Sequence, residues 1–348
     1  MITVTLRDLR WRARRFVIAG IGAATVFALT LVVSGLVASF KAETGRVLDM
    51  VGADTWVLPE GVDGVFTTIS VVPQSLAAQV AKQPGVRRAD PIVILHHTVR
   101  LDEVLDVNLV GYAPGGLGTP VLAEGRLPGK KGEVVADVAL GLELGRTVPL
   151  AGDDVTVVGR TRGQTVSGGQ PLVFLPLVEA QALLADGAPV ASAVVTEGVP
   201  ARLPDGYVGQ DRETTREGML RPIDGALASL ELTLLLLWCV AGLVIGSVVY
   251  LSAIERGRDF AVYKATGWSN GTLAAGLALQ SVLLSVLASA IGIALSGLLV
   301  PFFPLTFEVP TSTRLLLPAV AIAVGLVASL AGLRKAVGVE PALAFGGP

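Results

Sequence analysis

Ser269 sits in the run Gly267-Trp268-Ser269-Asn270-Gly271, which has the five-residue frame of a serine nucleophile elbow. A serine in that frame attacks only when a histidine within hydrogen-bond reach takes its proton. The chain has two histidines, His96 and His97, and the apolar runs described below put them across a membrane from Ser269. The run is therefore read as a glycine-bracketed turn. His96 and His97 are neighbours on a predicted strand, where successive side chains point to opposite faces and cannot chelate one ion together. One surface histidine and one partly buried histidine are expected, a metal or haem ligand role shared across a dimer being the alternative. Residues 125–132, GRLPGKKG, have the wrong glycine spacing for a phosphate loop and place Lys131 where Ser or Thr would hold magnesium. The chain is thus not expected to hydrolyse ATP. Cys239 is the single cysteine, so an intrachain disulfide is excluded; in its apolar run it reads as a small buried hydrophobe.

A polar stretch inside a long apolar block offers a different chemistry, that of docking. Residues 255–271 read ERGRDFAVYKATGWSNG, with Glu255, Arg256, Arg258, Asp259 and Lys264 as charges and Phe260 and Tyr263 on one side. The pattern is that of a short amphipathic helix between Gly257 and Gly267. Such a helix either rests on lipid headgroups or inserts its aromatic side into a partner while its cations meet acidic residues or phosphates.

The elements around this stretch are membrane spans. Residues 232–254 are apolar or small except Thr233, Ser247, Tyr250 and Ser252, and residues 272–300 carry no charge. Both exceed the roughly 20 residues that a helix needs to cross a hydrocarbon core of about 30 Å. Residues 16–40 form another uncharged run behind five arginines, and residues 315–333 a fourth, followed by Arg334 and Lys335. The first run is too long for the apolar region of a cleaved signal peptide, which spans about 7–15 residues. Short loops rich in Lys and Arg stay inside, so the distribution of basic residues predicts four spans with both termini cytoplasmic. A composition 52% hydrophobic and 16% charged fits an integral membrane protein, and a net charge of -2 argues against a nucleic-acid partner. Gly20, Ala24 and Ala28 recur at four-residue intervals in the first span, a stripe where another helix can approach closely. Glu231 at the outer edge of the second span and Gln280 near the middle of the third read as polar groups of helix packing.

Between the first two spans the texture changes to that of a soluble domain. Strand-like runs DTWVLP, ADPIVILHHTV, DVNLVGY, GEVVADVAL, DDVTVVGR and PLVFLPL alternate with turn residues, and helices are predicted at 73–82 and 177–184. RTRGQTVSGGQ, near residue 165, reads as an exposed hairpin or a connection between two lobes. The fold class is therefore an α-helical membrane protein with four transmembrane helices and an α+β extracytoplasmic domain inserted between the first and second. In order, the parts are a cytoplasmic N-terminus (1–15), a span (16–40), the extracytoplasmic domain (41–227), a span (228–254), a cytoplasmic helix (255–269), a span (270–300), an outer loop (301–314), a span (315–333) and a cytoplasmic C-terminus (334–348).

ERGRDFAVYKATGWSNGTLAAGLALQSVLLS resembles the signature of the FtsX-like, MacB-like permeases of ABC transporters. In that family a span ends in Glu-Arg, a short amphipathic helix follows, and an alanine-x-glycine turn leads into the next span. GLRKAVGVEPALAF is similar to their C-terminal motif, and AEGRLPGKKGEVVADVALGLELG to their periplasmic core domain at Glu124, Gly125, Arg126, Gly132, Glu133, Val134, Leu144 and Gly145. Asp259-Phe260-Ala261 stands where the family often has Glu-Ile-Ala. The layout looks closest to the HrtB- and DevC-like branch. The resemblance implies a non-catalytic permease in a bacterial plasma membrane, paired with a second copy through a stripe such as Gly20, Ala24 and Ala28. It also implies two copies of a separate ATPase, which hold the ATP and magnesium and grip residues 255–265 as a coupling helix. No cofactor is implied in this chain. Export or extraction of an amphiphile (lipid, haem, peptide or drug) is the function implied, and activation of an extracellular cell-wall hydrolase the alternative.

Overall fold

The computed structural model describes residues 13–66, 68–101, 104–255, 257–299 and 311–337. The basic residues before position 13, Arg256, most of the expected outer loop and the end of the chain beyond 337 lie outside the described residues. Two compact units result, one of residues 40–226 and one that joins the residues up to 39 with those from 227 onward.

The α+β unit is built on a mixed sheet. Its strands are β1 (Thr55–Pro59), β3 (Val86–Arg100), β4 (Val104–Tyr112), β5 (Glu124–Gly125), β6 (Glu133–Asp137), β8 (Asp153–Thr161), β10 (Gln170–Pro176), β12 (Ala193–Gly198) and β13 (Tyr207–Asp211). Their order is β13-β1-β12-β3-β4-β10-β6-β8-β5; β7 (Thr147–Leu150) pairs with β8 and β9 (Thr165–Val166) with β10. β2 (Val72–Pro73) and β11 (Val190–Ala191) pair apart from it. Most neighbours are antiparallel, but β4 with β10 and β6 with β8 run parallel.

Strand alternation feeds two cores. Val57, Val93, Leu109 and Val173 enter one, beneath the helices α2 (Ser75–Val80) and α3 (Leu177–Ala185). Trp56, Ile92, Val110 and Phe174, each next to one of those four in sequence, enter the other. There they meet Val47, Leu48 and Val51 from the end of α1 (Ala13–Val51) and Met219 of α4 (Arg212–Leu220). Where both faces are covered, the central strands carry unbroken apolar runs, residues 91–95 of β3 and 171–176 of β10. The helix expected to end near Lys41 thus runs on to Val51, and its last turns pack against the sheet.

The stretch expected as an exposed hairpin or lobe connection is a hairpin, but it is drawn inward. Ser167, Gly168 and Gly169 all have left-handed φ values of 52°, 87° and 101°, so their backbone N–H groups converge into a small anion-binding hollow. The carboxylate of Glu43, on α1 and 4% exposed, fills it. Glu43 accepts hydrogen bonds from Thr165 Oγ1, from Gly168 N at 3.0 Å and from Gly169 N at 2.9 Å.

In the second unit, α1 packs with α5 (Asp224–Glu255), α6 (Gly257–Ala265), α7 (Asn270–Leu299) and α8 (Thr311–Val337). Among the described residues three helical stretches are long and apolar enough to cross a membrane, Val17–Val51, Arg212–Glu255 and Asn270–Leu299. The apolar part of α8, Thr313–Val327, is shorter. Ala24 and Ala28 are buried against α7: a Cβ built on Gly292 would lie 3.0 Å from the Ala24 carbonyl and 3.3 Å from the Ala28 nitrogen. The Gly20, Ala24 and Ala28 stripe therefore meets a helix of its own chain, and the expectation that it faces a second copy gives way to packing within one subunit.

Candidate partner-docking site

α6 and α7 are joined by residues 266–269, where the N–H groups of Thr266, Gly267 and Trp268 donate back to carbonyls of α6. Gly267, with φ 92°, ends α6 in a left-handed turn that a Cβ would strain. Its N–H donates to the Lys264 carbonyl at 3.0 Å, and the Trp268 N–H donates to that of Tyr263 at 2.9 Å. This is the paired bonding of a Schellman motif, completed by an apolar contact between the residues at its two ends. Tyr263 and Trp268 provide that contact by stacking.

Ser269 then opens α7. Its Oγ accepts a hydrogen bond from Thr272 N at 3.2 Å, as a helix N-cap does. It also shares a hydrogen with Thr272 Oγ1 at 2.9 Å. The hydroxyl is thereby committed to a turn and a cap, as the glycine-bracketed reading of the run requires.

The helix itself departs from expectation in its aromatic side. Phe260 is 3% exposed and Ala261 fully buried, both within the core of the second unit. Tyr263 is partly buried against the same core. These side chains are not free to enter a partner. A nine-residue helix between two long ones has one apolar face, and here that face closes the bundle. The exposed face holds Glu255, Arg258, Asp259, Val262, Ala265 and Thr266, spaced at three and four residues. Val262, 48% exposed, is its apolar centre. Lys264 is half-buried, and Arg256 lies outside the described residues. Sequence reasoning passed over Val262; the signal was its place between the charges at 258 and 259 and the polar Thr266.

Other candidates resolve locally. Gln280 Nε2 donates to Ser252 Oγ at 3.2 Å, both residues buried, which joins α7 to α5 as a packing pair. Glu231 is exposed on α5. Cys239 is also exposed, contrary to the buried hydrophobe expected, because it lies on the side of α5 that bears Leu235, Leu236 and Leu243. In the α+β unit, the glycine-rich residues 125–132 fold onto Glu133. Arg126 grips both Glu133 oxygens at 2.7 and 2.5 Å, and Gly129 N and Lys130 N donate to Oε2. The Arg126 guanidinium first, then the Gly129 amide, draw the Glu133 carboxyl down to about 2. His97 Nε2 accepts the Ala151 N–H at 3.0 Å, while His96 is exposed, 3.8 Å from Asp106 Oδ1. Among the described residues no cluster of His, Cys, Asp and Glu could hold a metal.

The family model of the FtsX-like permease C-terminal matches residues 232–341, and that of the MacB-like periplasmic core domain matches residues 18–206. An uncharacterized ABC transporter permease of Mycobacterium tuberculosis H37Rv is 41% identical over 349 residues, covering 100% of both chains. A second such permease of the same strain is 40% identical with the same coverage. The crystal structure of the extracellular domain of the noncanonic ABC-type transporter YknZ from Gram-positive bacteria covers 46% of this chain and 99% of that domain, at 15% identity and a TM-score of 0.34.

Proposed function

This chain belongs to the ABC transporter permeases of the FtsX-like type with a MacB-like periplasmic core domain, and from that premise we propose that it exports or extracts an amphiphile under the drive of a separate ATPase subunit. Two permeases and two ATPases form the complex. Four spans carry both termini to the cytoplasm, α8 completing the fourth, with the α+β domain outside. ATP and magnesium reside in the partner, and this chain contributes movement.

One observation carries the reading: the exposed face of α6 around Val262, on a helix capped at its end and braced by Phe260 from behind. A rigid short helix between two spans transmits a push that a frayed loop would absorb. In docking, Val262 enters an apolar groove on the ATPase, while Arg258 and Asp259 meet charges at its rim. Buried anchors carry about 2 kcal/mol or more of such an interface, and rim charges much less.

The test is co-expression with candidate ABC ATPase subunits from the same organism. Val262→Asp combined with Arg258→Glu should leave insertion and folding intact and lower ATPase co-purification and permease-stimulated hydrolysis tenfold or more. Assembly near the wild-type level would remove the coupling role of α6. Lipid retained by the purified complex supports export, whereas a retained extracellular hydrolase would transfer the protein to the signalling class.

A further inference from the structure

The helices of the second unit are not all held in the same way. α7 is tied to α5 by the buried Gln280 and Ser252 pair, and to α1 by the close approach of Gly292 to Ala24, Phe27 and Ala28. α8 is attached along one stripe. Its residues Leu317, Ala321 and Gly325, at four-residue spacing, are buried, while Leu315, Leu316, Val320 and Val327 are 39–74% exposed.

Within that stripe one polar group is left unmatched. Ser281, Ser289 and Ser296 are buried on α7 and turn back onto their own helix, donating to the carbonyls of Ala278, Val286 and Ile293 at 2.8, 2.9 and 2.8 Å. Ser285, equally buried, has no hydrogen-bond partner for its Oγ. A Cβ on Gly325 would collide with that Oγ and lie 3.5 Å from the Ser281 carbonyl oxygen, so the hydroxyl stands in the notch that the missing side chain leaves. The seat gains a close backbone approach and carries a buried hydroxyl without a partner, which a low-dielectric interior makes costly. When α8 withdraws, the hydroxyl is free to turn to the Val282 carbonyl three residues back, as its neighbours do. Beside α8, a groove of about 840 Å³ is lined by Gly242, Gly246 and Ser247 of α5 and by Ala323 and Val327 of α8. At its edge Val324 Cγ1 lies 3.0 Å from a Cβ built on Gly242.

We infer that α8 is the moving span: it leaves its seat on Ser285 and swings into the groove against α5, with the contact of Gly242 and Val324 as the pivot. α1, α5 and α7 stay together. Small residues on both sides of the groove let the two helices approach without a clash of large side chains, and attachment along one stripe means that a single contact is exchanged for another. Two such packings of one helix make a discrete switch rather than a continuous deformation. The inference rests on the ATP-driven reading, for which it names the part that moves.

Cross-linking across the groove tests it, on the full-length permease in nanodiscs with the ATPase that co-purifies with it. In a Cys239→Ala background, Ser247→Cys with Val327→Cys should oxidise to a disulfide at least fivefold faster with ATP and vanadate than without nucleotide. Equal rates in both states, while permease-stimulated hydrolysis proceeds, would overturn the moving span and leave the ATP-driven reading in place. Ala323→Trp, which fills the groove from an exposed position, should lower stimulated hydrolysis at least fivefold with ATPase co-purification unchanged. Leu315→Trp, on α8 but outside the groove, should leave hydrolysis near the wild-type level. The same effect from both, or none from either, would also overturn the inference. On the permease alone, Ser285→Ala should raise the thermal midpoint, because the unmatched hydroxyl is gone, whereas Ser289→Ala should not. A midpoint unchanged or lowered in Ser285→Ala would overturn the seat. If the wild-type permease stimulates no hydrolysis, the ATP-driven reading falls, and this midpoint still decides the seat.

Discussion

The indole of Trp268 stacks on the ring of Tyr263, with centroids 4.9 Å apart and planes within 22° of parallel. The same two residues are joined through their backbones by the Trp268 N–H and the Tyr263 carbonyl. The angle at which α6 hands over to α7 is therefore set twice, once by hydrogen bonds and once by ring contact.

Breaking either device should loosen the joint without touching the exposed face. Gly267→Ala forces an L side chain into the left-handed region, at about 1–2 kcal/mol. Trp268→Ala removes a stacked pair of about 0.5–1.5 kcal/mol beyond its area. Both variants should lower the thermal midpoint of the purified permease and weaken permease-stimulated ATP hydrolysis more than ATPase co-purification. An unchanged midpoint for both would mean that the joint is not strained by their loss.

Phe260→Ala should behave as a core mutation. With the side chain 3% exposed, its removal should cost about 3–5 kcal/mol and reduce the yield of folded protein. Val262→Asp should not. If Phe260→Ala instead folds as wild type and loses only the ATPase, the aromatic side is the docking side.

Glu43→Ala should release the hairpin at 165–169. A buried donor left without an acceptor costs about 1–3 kcal/mol; Thr165 Oγ1 is such a donor, while the Gly168 and Gly169 amides are partly buried and lose less. Limited proteolysis should cut the hairpin in the alanine variant and spare the wild type, with Glu43→Gln intermediate because one oxygen remains to accept. Equal protection of all three would show that packing alone holds the turn.

Glu133 gives the domain a defined acid response. Its carboxyl titrates near 2 in the fold, below the ordinary 4.5, because Arg126 and the Gly129 and Lys130 amides favour the charged form. A depressed carboxyl contributes stability that is fully present above its unfolded value and is lost as pH falls through the folded one. The wild type should therefore exceed Glu133→Gln in thermal midpoint by a constant margin from neutral pH to about 4.5. The margin should shrink below that and vanish near pH 2. A margin independent of pH would assign the effect to shape rather than charge.

Local chemistry was legible in the sequence. Three long uncharged runs become long apolar helices because helical hydrogen bonding is internal to each segment and apolar length needs no distant partner. The helices at 75–80 and 177–185, the turn at Gly267 and the cap at Ser269 follow from neighbours within four residues, and the family itself was visible in the order of motifs. What only the tertiary structure decided depends on residues far apart in the chain. Nothing near Glu43 announces a hairpin more than 120 positions away that presents three donors to it. An amphipathic pattern shows that α6 has an apolar face, and Phe260 belongs to it; whether that face meets a partner or its own spans depends on how the chain packs. The stripe of Gly20, Ala24 and Ala28 is likewise an offer of close approach, which Gly292 of α7 takes up. Periodicity determines which face of a helix seeks contact, but the contact made is the one that buries most surface in three dimensions, and that sum runs over residues no local window contains.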